Sequence, residues 1–404
     1  MREMLEIPAP SLQTPGIKGA FQTRLRAARW LWVSLFSWAI TRLGIAIVAY
    51  IATPLIIDPK GRPYFRPGNT LLDAFGGRWD DGFYLEIVKR GYHYKDMPLP
   101  SVAFFPLLPL LMRAGQFVVG DAMVGGLIVT NLALLGATML FYRLVGDEWG
   151  SRVADRGVWY LLIFPTSFFG SALYTESLFL LGAIGALYAA RKGRWTWAAL
   201  LGIVTTSSRL VGLVVAPVLL IEWWMQHRQH PNTGGPPVVA LAAPLAVPLG
   251  TAAYMFYLQR TFGDALAFAH ASAAWGRKPG SPLVMVRQLL ERPSEGWIAA
   301  LLRTHIQLDH SIDALFVLLF LILGCVLLRQ RRWSEAVFVL LGAVLSLSSG
   351  LWASQRRYMW VLFPVFILLA RWGERQWVDR LITTLSLLGL GLFTTLFVNW
   401  YWVA

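Results

Sequence analysis

Apolar runs recur so often along this chain that they confine its fold before any motif is read. Ten or eleven stretches are apolar over roughly the 20 residues that carry an α-helix across a bilayer. Hydrophobic residues make up 56% of the 404 and charged residues 14%, more apolar matter than a water-soluble core of this length requires. Lipid offers no hydrogen bonds, so each run must satisfy its backbone internally, and an all-α polytopic membrane protein is expected. The formal charge of +14 would suit a nucleic-acid partner if it were clustered, but the basic residues stand singly or in short groups between apolar runs. They read as cytoplasmic anchors and phosphate ligands, with no nucleic acid implied. The single cysteine, Cys325, permits no intrachain disulfide and no thiol metal site; inside an apolar run it is expected to be buried filler.

Loop charge sets the threading. The run at 27–51 is long enough to stay as an uncleaved anchor, and the Pro- and Gly-bearing stretch 1–23 reads as a flexible cytoplasmic tail. Arg24, Arg26 and Arg29 hold that end inside, which puts 52–120 outside as a first extracytoplasmic loop. Within it, "VAFFPLLPLLMRAGQFVVG" carries two prolines and an arginine and reads as an interfacial helix, not a span. Residues 195–225 are expected to form a hairpin with Ser207, Ser208 and Arg209 at its outer apex. Residues 260–310 form a second extracytoplasmic loop, and Trp400, Tyr401 and Trp402 an interfacial belt. About eleven spans result, in one domain covering 1–404, with the chemically suggestive strings on one face.

Those strings are few. In "RWDDGFYLEIVKRGY", Asp80 and Asp81 precede apolar residues spaced for a helix lying on the membrane. A carboxylate held against aromatics such as Trp79 and Tyr84 can accept a proton from a hydroxyl; equally, either aspartate can cap the helix that begins near Phe83. Arg42 and Arg209 interrupt apolar runs, where a lone arginine costs about 2.5–3.5 kcal/mol, so each calls for a ligand or a route to the interface. Arg356, Arg357 and Tyr358 stand at the outer start of a helix, as phosphate ligands or as a basic anchor. Tyr174 and Glu176, with Thr175 between them, begin another helix, as site residues or as its cap and first-turn acid. His270, Trp275, Arg277 and Lys278 suit polar contacts and sugar stacking, although His270 without a second ligand is poor evidence for a metal. No glycine-rich phosphate loop, GxSxG or HExxH appears, which removes support for hydride transfer, serine hydrolysis and zinc proteolysis.

Taken in order, "RWDDGFYLEIVKRGY", "AFFPLLPLLMR", "FPTSFFGSALYTESLF", "SSRLVG" and "RRYMWVLFPVF" resemble the PIG-V-type mannosyltransferases, the family of the second mannosyltransferase of glycosylphosphatidylinositol assembly and its bacterial relatives. The resemblance implies a GT-C glycosyltransferase fold and transfer of mannose from a polyprenyl-phosphate donor on the extracytoplasmic face. It also implies inversion at the anomeric carbon, no metal or other cofactor, and a loop-one aspartate as base, which falls on Asp80, with Asp81 as a possible second carboxylate. The donor phosphate is expected on Arg209, Arg356, Arg357, Tyr358 and Arg42, and the donor sugar near Tyr174 and Glu176. Trp79, Tyr84, His270 and Trp275 are expected on the sugar or acceptor side. A compact chain whose tail has no organelle retention string is expected in a prokaryotic plasma membrane, with a lipid-linked or cell-envelope glycan acceptor in place of the eukaryotic one. The rival reading is a flippase or transporter of a lipid-linked saccharide.

Overall fold

The structure is a computed structural model that describes residues 28–55, 71–96, 98–229, 237–277, 280, 283–285, 287 and 308–403. The expected tail at 1–23, with Arg24, Arg26 and Lys278, lies outside the described residues. Among the described residues there is no strand. The longer helices are α1 (Arg29–Leu55), α2 (Asp81–Arg90), α3 (Leu107–Val119), α4 (Ala122–Trp149), α5 (Ser151–Ile163), α6 (Glu176–Arg191) and α7 (Trp195–Ser208). They continue with α8 (Val215–Gln229), α9 (Leu249–Phe262), α10 (Leu308–Arg329), α11 (Trp333–Leu347), α12 (Gln355–Trp360), α13 (Pro364–Trp372) and α14 (Gln376–Val398).

The expected count of eleven spans is not confirmed. Among the described residues, five are long and apolar enough to cross a bilayer, at 29–53, 122–149, 210–228, 310–329 and 376–398. A sixth results if the segments Val238–Ala246 and Leu249–Phe262, bent by 44°, count as one broken span. The other apolar runs are interrupted. With a rise of about 1.5 Å per residue, a 13-residue helix such as α5 covers only about 20 Å of a core roughly 30 Å thick. α7 stops at Arg209, whose backbone is extended, and the chain resumes as a tight turn, Leu210–Val214, packed back against α7. The expected hairpin is therefore a broken pair of helices with Arg209 at the break.

α6 lies at the centre, walled by α4, α7 and α8, and most of its side chains are buried. α3 is also only 13 residues long and packs along α4. Their backbones meet at Gly115 and Gly125, where a Cβ on Gly125 would stand 2.7 Å from the carbonyl carbon of Gly115. Small residues are what allow helices to approach so closely. A second, smaller apolar cluster joins Val102 and Phe105 to Tyr254, Leu258 and Phe268, and the Tyr254 hydroxyl donates to the Val102 carbonyl at 2.8 Å. This clamp ties the first outer loop to the segment that carries Trp275.

Two expectations from composition are corrected. Cys325 is exposed on α10, so an apolar run did not imply a core position. At the C-terminal end Trp400 and Tyr401 remain exposed, but Trp402 turns onto Trp79, with ring centres 4.9 Å apart.

The close crossing of α3 and α4 carries a prediction. Gly125→Leu should lower the melting temperature of the detergent-solubilised protein, since over-packing costs about 1–3 kcal/mol or more where backbone faces backbone. Gly44→Ala, which adds a methyl to open space, should leave it unchanged; equal melting of both variants would refute the account.

Candidate functional site

The first carboxylate of the site depends on a strained turn. Trp79 adopts a positive φ of 55°, sparsely populated for a bulky residue, and the chain then enters α2 with Asp80 at its N-cap position. Asp80 is already helical (φ −62°, ψ −21°), a geometry in which the side chain makes no cap hydrogen bond. Its carboxylate turns instead to Arg357, with Oδ2 3.2 Å from Nη1, and it remains partly exposed, at 20%. Its backbone N–H donates to the Tyr174 hydroxyl at 3.3 Å. The alternative reading of Asp80 as a helix cap is thereby removed.

Asp81, one residue on, is wholly buried. Its Oδ2 accepts from the Arg78 N–H at 3.3 Å, and its Oδ1 is buried without a hydrogen-bond partner among the described residues. Burial pushes this carboxyl well above the usual carboxylate range, and the charges of Asp80 and Glu176 push it the same way. Two adjacent aspartates thus have different states: one reachable and paired with a cation, the other a buried acid.

Glu176 begins α6. Thr175 before it is also helical and makes no side-chain cap bond, so the cap reading fails here too. The Glu176 side chain is 1% exposed and forms ion pairs with Arg209 and with Arg357, the latter at 3.3 Å. Arg209 reaches it from the break after α7, and Arg357 from α12. α12 is entered through Ser354, another residue with positive φ (77°). Arg357 thereby bridges Asp80 and Glu176 while its guanidinium lies over the Tyr174 ring at 5.0 Å. The Tyr358 hydroxyl accepts from Arg357 Nη2 at 3.2 Å and from Arg277 Nη2 at 2.6 Å.

The structure separates the other expected site residues from this cluster. Arg356 points away: its Nε pairs with Asp313 at 3.1 Å, and its guanidinium lies over Phe393. Arg42 neither snorkels nor joins the cluster. It donates to the carbonyl of Leu162 (2.9 Å), in the last turn of α5, and to that of Ser167 (2.8 Å), which begins the short turn Ser167–Ser171. Trp79 packs edge-on against Trp402. Tyr84 is buried, edge-on to Phe104, close enough to Glu176 and Asp80 for their charges to raise its phenol further above the range that burial sets. His270 binds Asp264 through Nδ1 at 2.8 Å, and Asp264 also accepts from the Tyr94 hydroxyl at 2.7 Å, a separate exposed group. Trp275 stands against Phe83 at 4.6 Å and Phe104 at 5.5 Å, an aromatic wall that begins three residues from Asp80.

Sequence reasoning gave no role to Asp313, which occupies Arg356, nor to Phe83, whose place in the wall follows only from the fold. Among the described residues no three His, Cys, Asp or Glu side chains are grouped to hold a metal ion.

Comparison with known proteins bears out the family resemblance. Residues 68–227 match the family described as Mannosyltransferase (PIG-V). That stretch contains Asp80, Tyr174, Glu176 and Arg209 and ends before Arg277, Arg357 and Tyr358. No curated protein matches the chain. Similar solved structures include the Archaeoglobus fulgidus oligosaccharyltransferase in the apo form, at 14% identity and a TM-score of 0.44 over 92% of this chain and 56% of that one. An oligosaccharyltransferase structure from the same organism with zinc and sulfate has 11% identity and a TM-score of 0.40 over 89% and 53%. The archaeal oligosaccharyltransferase AglB, in complex with an inhibitory peptide and a dolichol-phosphate, has 12% and 0.40 over 89% and 56%. The chain spans about half the length of these structures.

The raised Asp81 carboxyl has a consequence for stability. A carboxyl whose folded pKa lies above its unfolded value of about 3.9 favours folding below that value, and the advantage is lost as pH rises through the folded pKa. Asp81→Asn, which imitates the neutral acid, should therefore raise the melting temperature at pH 7–8 and flatten its dependence on acid pH. A melting curve against pH identical to wild type would show that Asp81 is not held as a buried acid.

Proposed function

From the match of residues 68–227 to the family described as Mannosyltransferase (PIG-V), we propose that this integral membrane protein is a GT-C glycosyltransferase. In this reading it moves mannose from a polyprenyl-phosphate donor to a hydroxyl of a lipid-linked or cell-envelope glycan, on the extracytoplasmic face of a prokaryotic plasma membrane. The observation that carries the reading is the pairing of Asp80, the partly exposed carboxylate, with Arg357 beside the Glu176–Arg209 pair.

The reaction assigns each group a task. The acceptor O–H gives its proton to an Asp80 carboxylate oxygen while the acceptor oxygen attacks the anomeric carbon. The bond from that carbon to the phosphate oxygen breaks, and attack from the opposite side inverts the configuration. Charge grows on the departing polyprenyl phosphate, where Arg209 and Arg357 stabilise it; because Glu176 already orients them, little reorganisation is needed. Arg357 touches both the base and the carboxylate that holds Arg209, so it couples the base to the phosphate end. Buried Asp81 lacks the exposure a base needs. The aromatic wall of Phe83, Phe104 and Trp275 suits the apolar face of a sugar. Asp80 and the arginines gather in one place instead of lining a path across the bilayer, which favours turnover over the flippase alternative.

Labelled polyprenyl-phosphate mannose, incubated with purified protein and a lipid extract of the source organism, tests this directly. Asp80→Asn should lower product formation by about 10²–10⁴-fold, the range for a general base, with donor binding kept. Arg357→Ala should weaken donor binding and also lower turnover. Full transfer by Asp80→Asn would remove the assigned base, and donor movement across vesicles without any bond cleavage by wild type would support the carrier instead.

A further inference from the structure

Arg277 comes from the second outer loop, about 80 residues from its partner in sequence and outside the stretch that matches the family. Its guanidinium donates to the Tyr358 hydroxyl at 2.6 Å, and among the described residues no carboxylate pairs with it. Arg209, Arg277 and Arg357 lie 4.8, 5.8 and 5.1 Å from the centre of the same Tyr358 ring. Three elements thus bring three guanidiniums onto one phenol, while the carboxylates within the cluster are two, Asp80 and Glu176. Burial opposes ionisation of the Tyr358 phenol, but the Arg277, Arg357 and Arg209 guanidiniums draw it down to about 7, so while that phenol keeps its proton three positive charges stand against two negative. A sugar phosphodiester carries one negative charge.

We infer that Arg277 is a third ligand of the donor phosphate, and that Tyr358 is the positioning residue that holds its guanidinium toward Arg209 and Arg357. The inference rests on the reading of the cluster as a polyprenyl-phosphate site and adds to it a cation that the family stretch does not contain. Because a guanidinium presents several donors in a plane, Arg277 can bind a phosphate oxygen while keeping its bond to the phenol. The ligand chemistry is one phosphate group on an apolar tail, a singly charged diester in the sugar donor and a more highly charged monoester in a free prenyl phosphate.

Binding in nanodiscs, with farnesyl phosphate and farnesol as probes, separates the phosphate contribution from that of the tail. Wild type should bind farnesyl phosphate more tightly than farnesol. Arg277→Ala should lose about tenfold or more in farnesyl phosphate affinity, the scale of one charge-assisted hydrogen bond, with farnesol affinity unchanged. Arg277→Lys should recover part of the loss, and Arg260→Ala, an exposed arginine on α9, should lose nothing. If Arg277→Ala proves too unstable to assay, Tyr358→Phe should show a smaller loss in the same probe ratio, because it removes the oxygen that orients Arg277. Unchanged farnesyl phosphate affinity in Arg277→Ala, or in Tyr358→Phe where that is the variant assayed, overturns the inference; a loss in Arg357→Ala alongside it leaves the wider reading standing. No preference of wild type for farnesyl phosphate over farnesol overturns both.

Discussion

Glu176 is an ionisable side chain with almost no exposure at the start of a central helix, and the arrangement around it follows from the need to partner that charge. Removing one partner of a buried ion pair typically costs about 3–5 kcal/mol, because the other is left uncompensated. Arg209 and Arg357 supply the compensation, and both sit where helices are interrupted. α7 must stop at Arg209, and α12 must begin just before Arg357, for the two guanidiniums to reach one carboxylate. A bundle of unbroken spans would carry these residues on its walls, each needing its own partner in lipid. The breaks that reduce the count of full spans are also what assemble the site. Backbone interrupted at membrane depth is tolerated where protein covers it or polar groups line a cavity, and Arg42 shows the first of these, donating to the Leu162 carbonyl in the last turn of α5 and to the Ser167 carbonyl beyond it.

A neighbouring pair decides which arginine serves. Arg356 and Arg357 are adjacent on a short helix and cannot face the same way. Asp313 on α10 accepts from the backbone N–H of Arg356 and forms an ion pair with its guanidinium, which commits that side chain to α10 and turns Arg357 toward Asp80 and Glu176. The aspartates of α2 are divided in the same manner. Asp81 points inward to the Arg78 N–H and is buried, and Asp80 points across to Arg357 and stays reachable. In each doublet one member fixes the helix and the other faces the shared ion-pair cluster.

Much of this was legible in the chain itself. Strings rich in charge inside an apolar sequence mark expensive positions, and Asp80, Tyr174, Glu176, Arg209, Arg357 and Tyr358, all named from those strings, do come together. What sequence could not give was partnership over distance. Arg42 has the same local signature as Arg209, a cation in an apolar run, and only the fold sends one to carbonyl oxygens and the other to a carboxylate. Helix ends are hidden for a related reason: hydropathy registers apolar length but not the point at which a helix stops, and α5, α6 and α7 are short pieces packed among their neighbours. From sequence, Trp79 is expected on the sugar or acceptor side and the terminal tryptophans in an interfacial belt, yet Trp79 stands 5.8 Å from Trp400 and 4.9 Å from Trp402.

The far end of α6 provides the control for reading the cluster as a site. There Arg191 and Arg332 meet Glu148, Glu222 and Glu335, and Ser334 donates to Glu222 at 2.5 Å. Three carboxylates against two guanidiniums leave that group one negative unit in excess, and its acids are distributed so that each is claimed by at least one arginine. It draws together the ends of α4, α6, α8 and α11, as a staple does, and has no surplus cation to offer an anion. The cluster at the start of α6 has the opposite count, three guanidiniums to two carboxylates. Its third guanidinium is held by a phenol and by no carboxylate among the described residues, and Asp80 is one-fifth exposed. Burial and ion pairing are common to both ends of the helix; a guanidinium without a carboxylate partner beside a reachable carboxylate is found at only one of these two clusters, and that combination suits an anionic ligand.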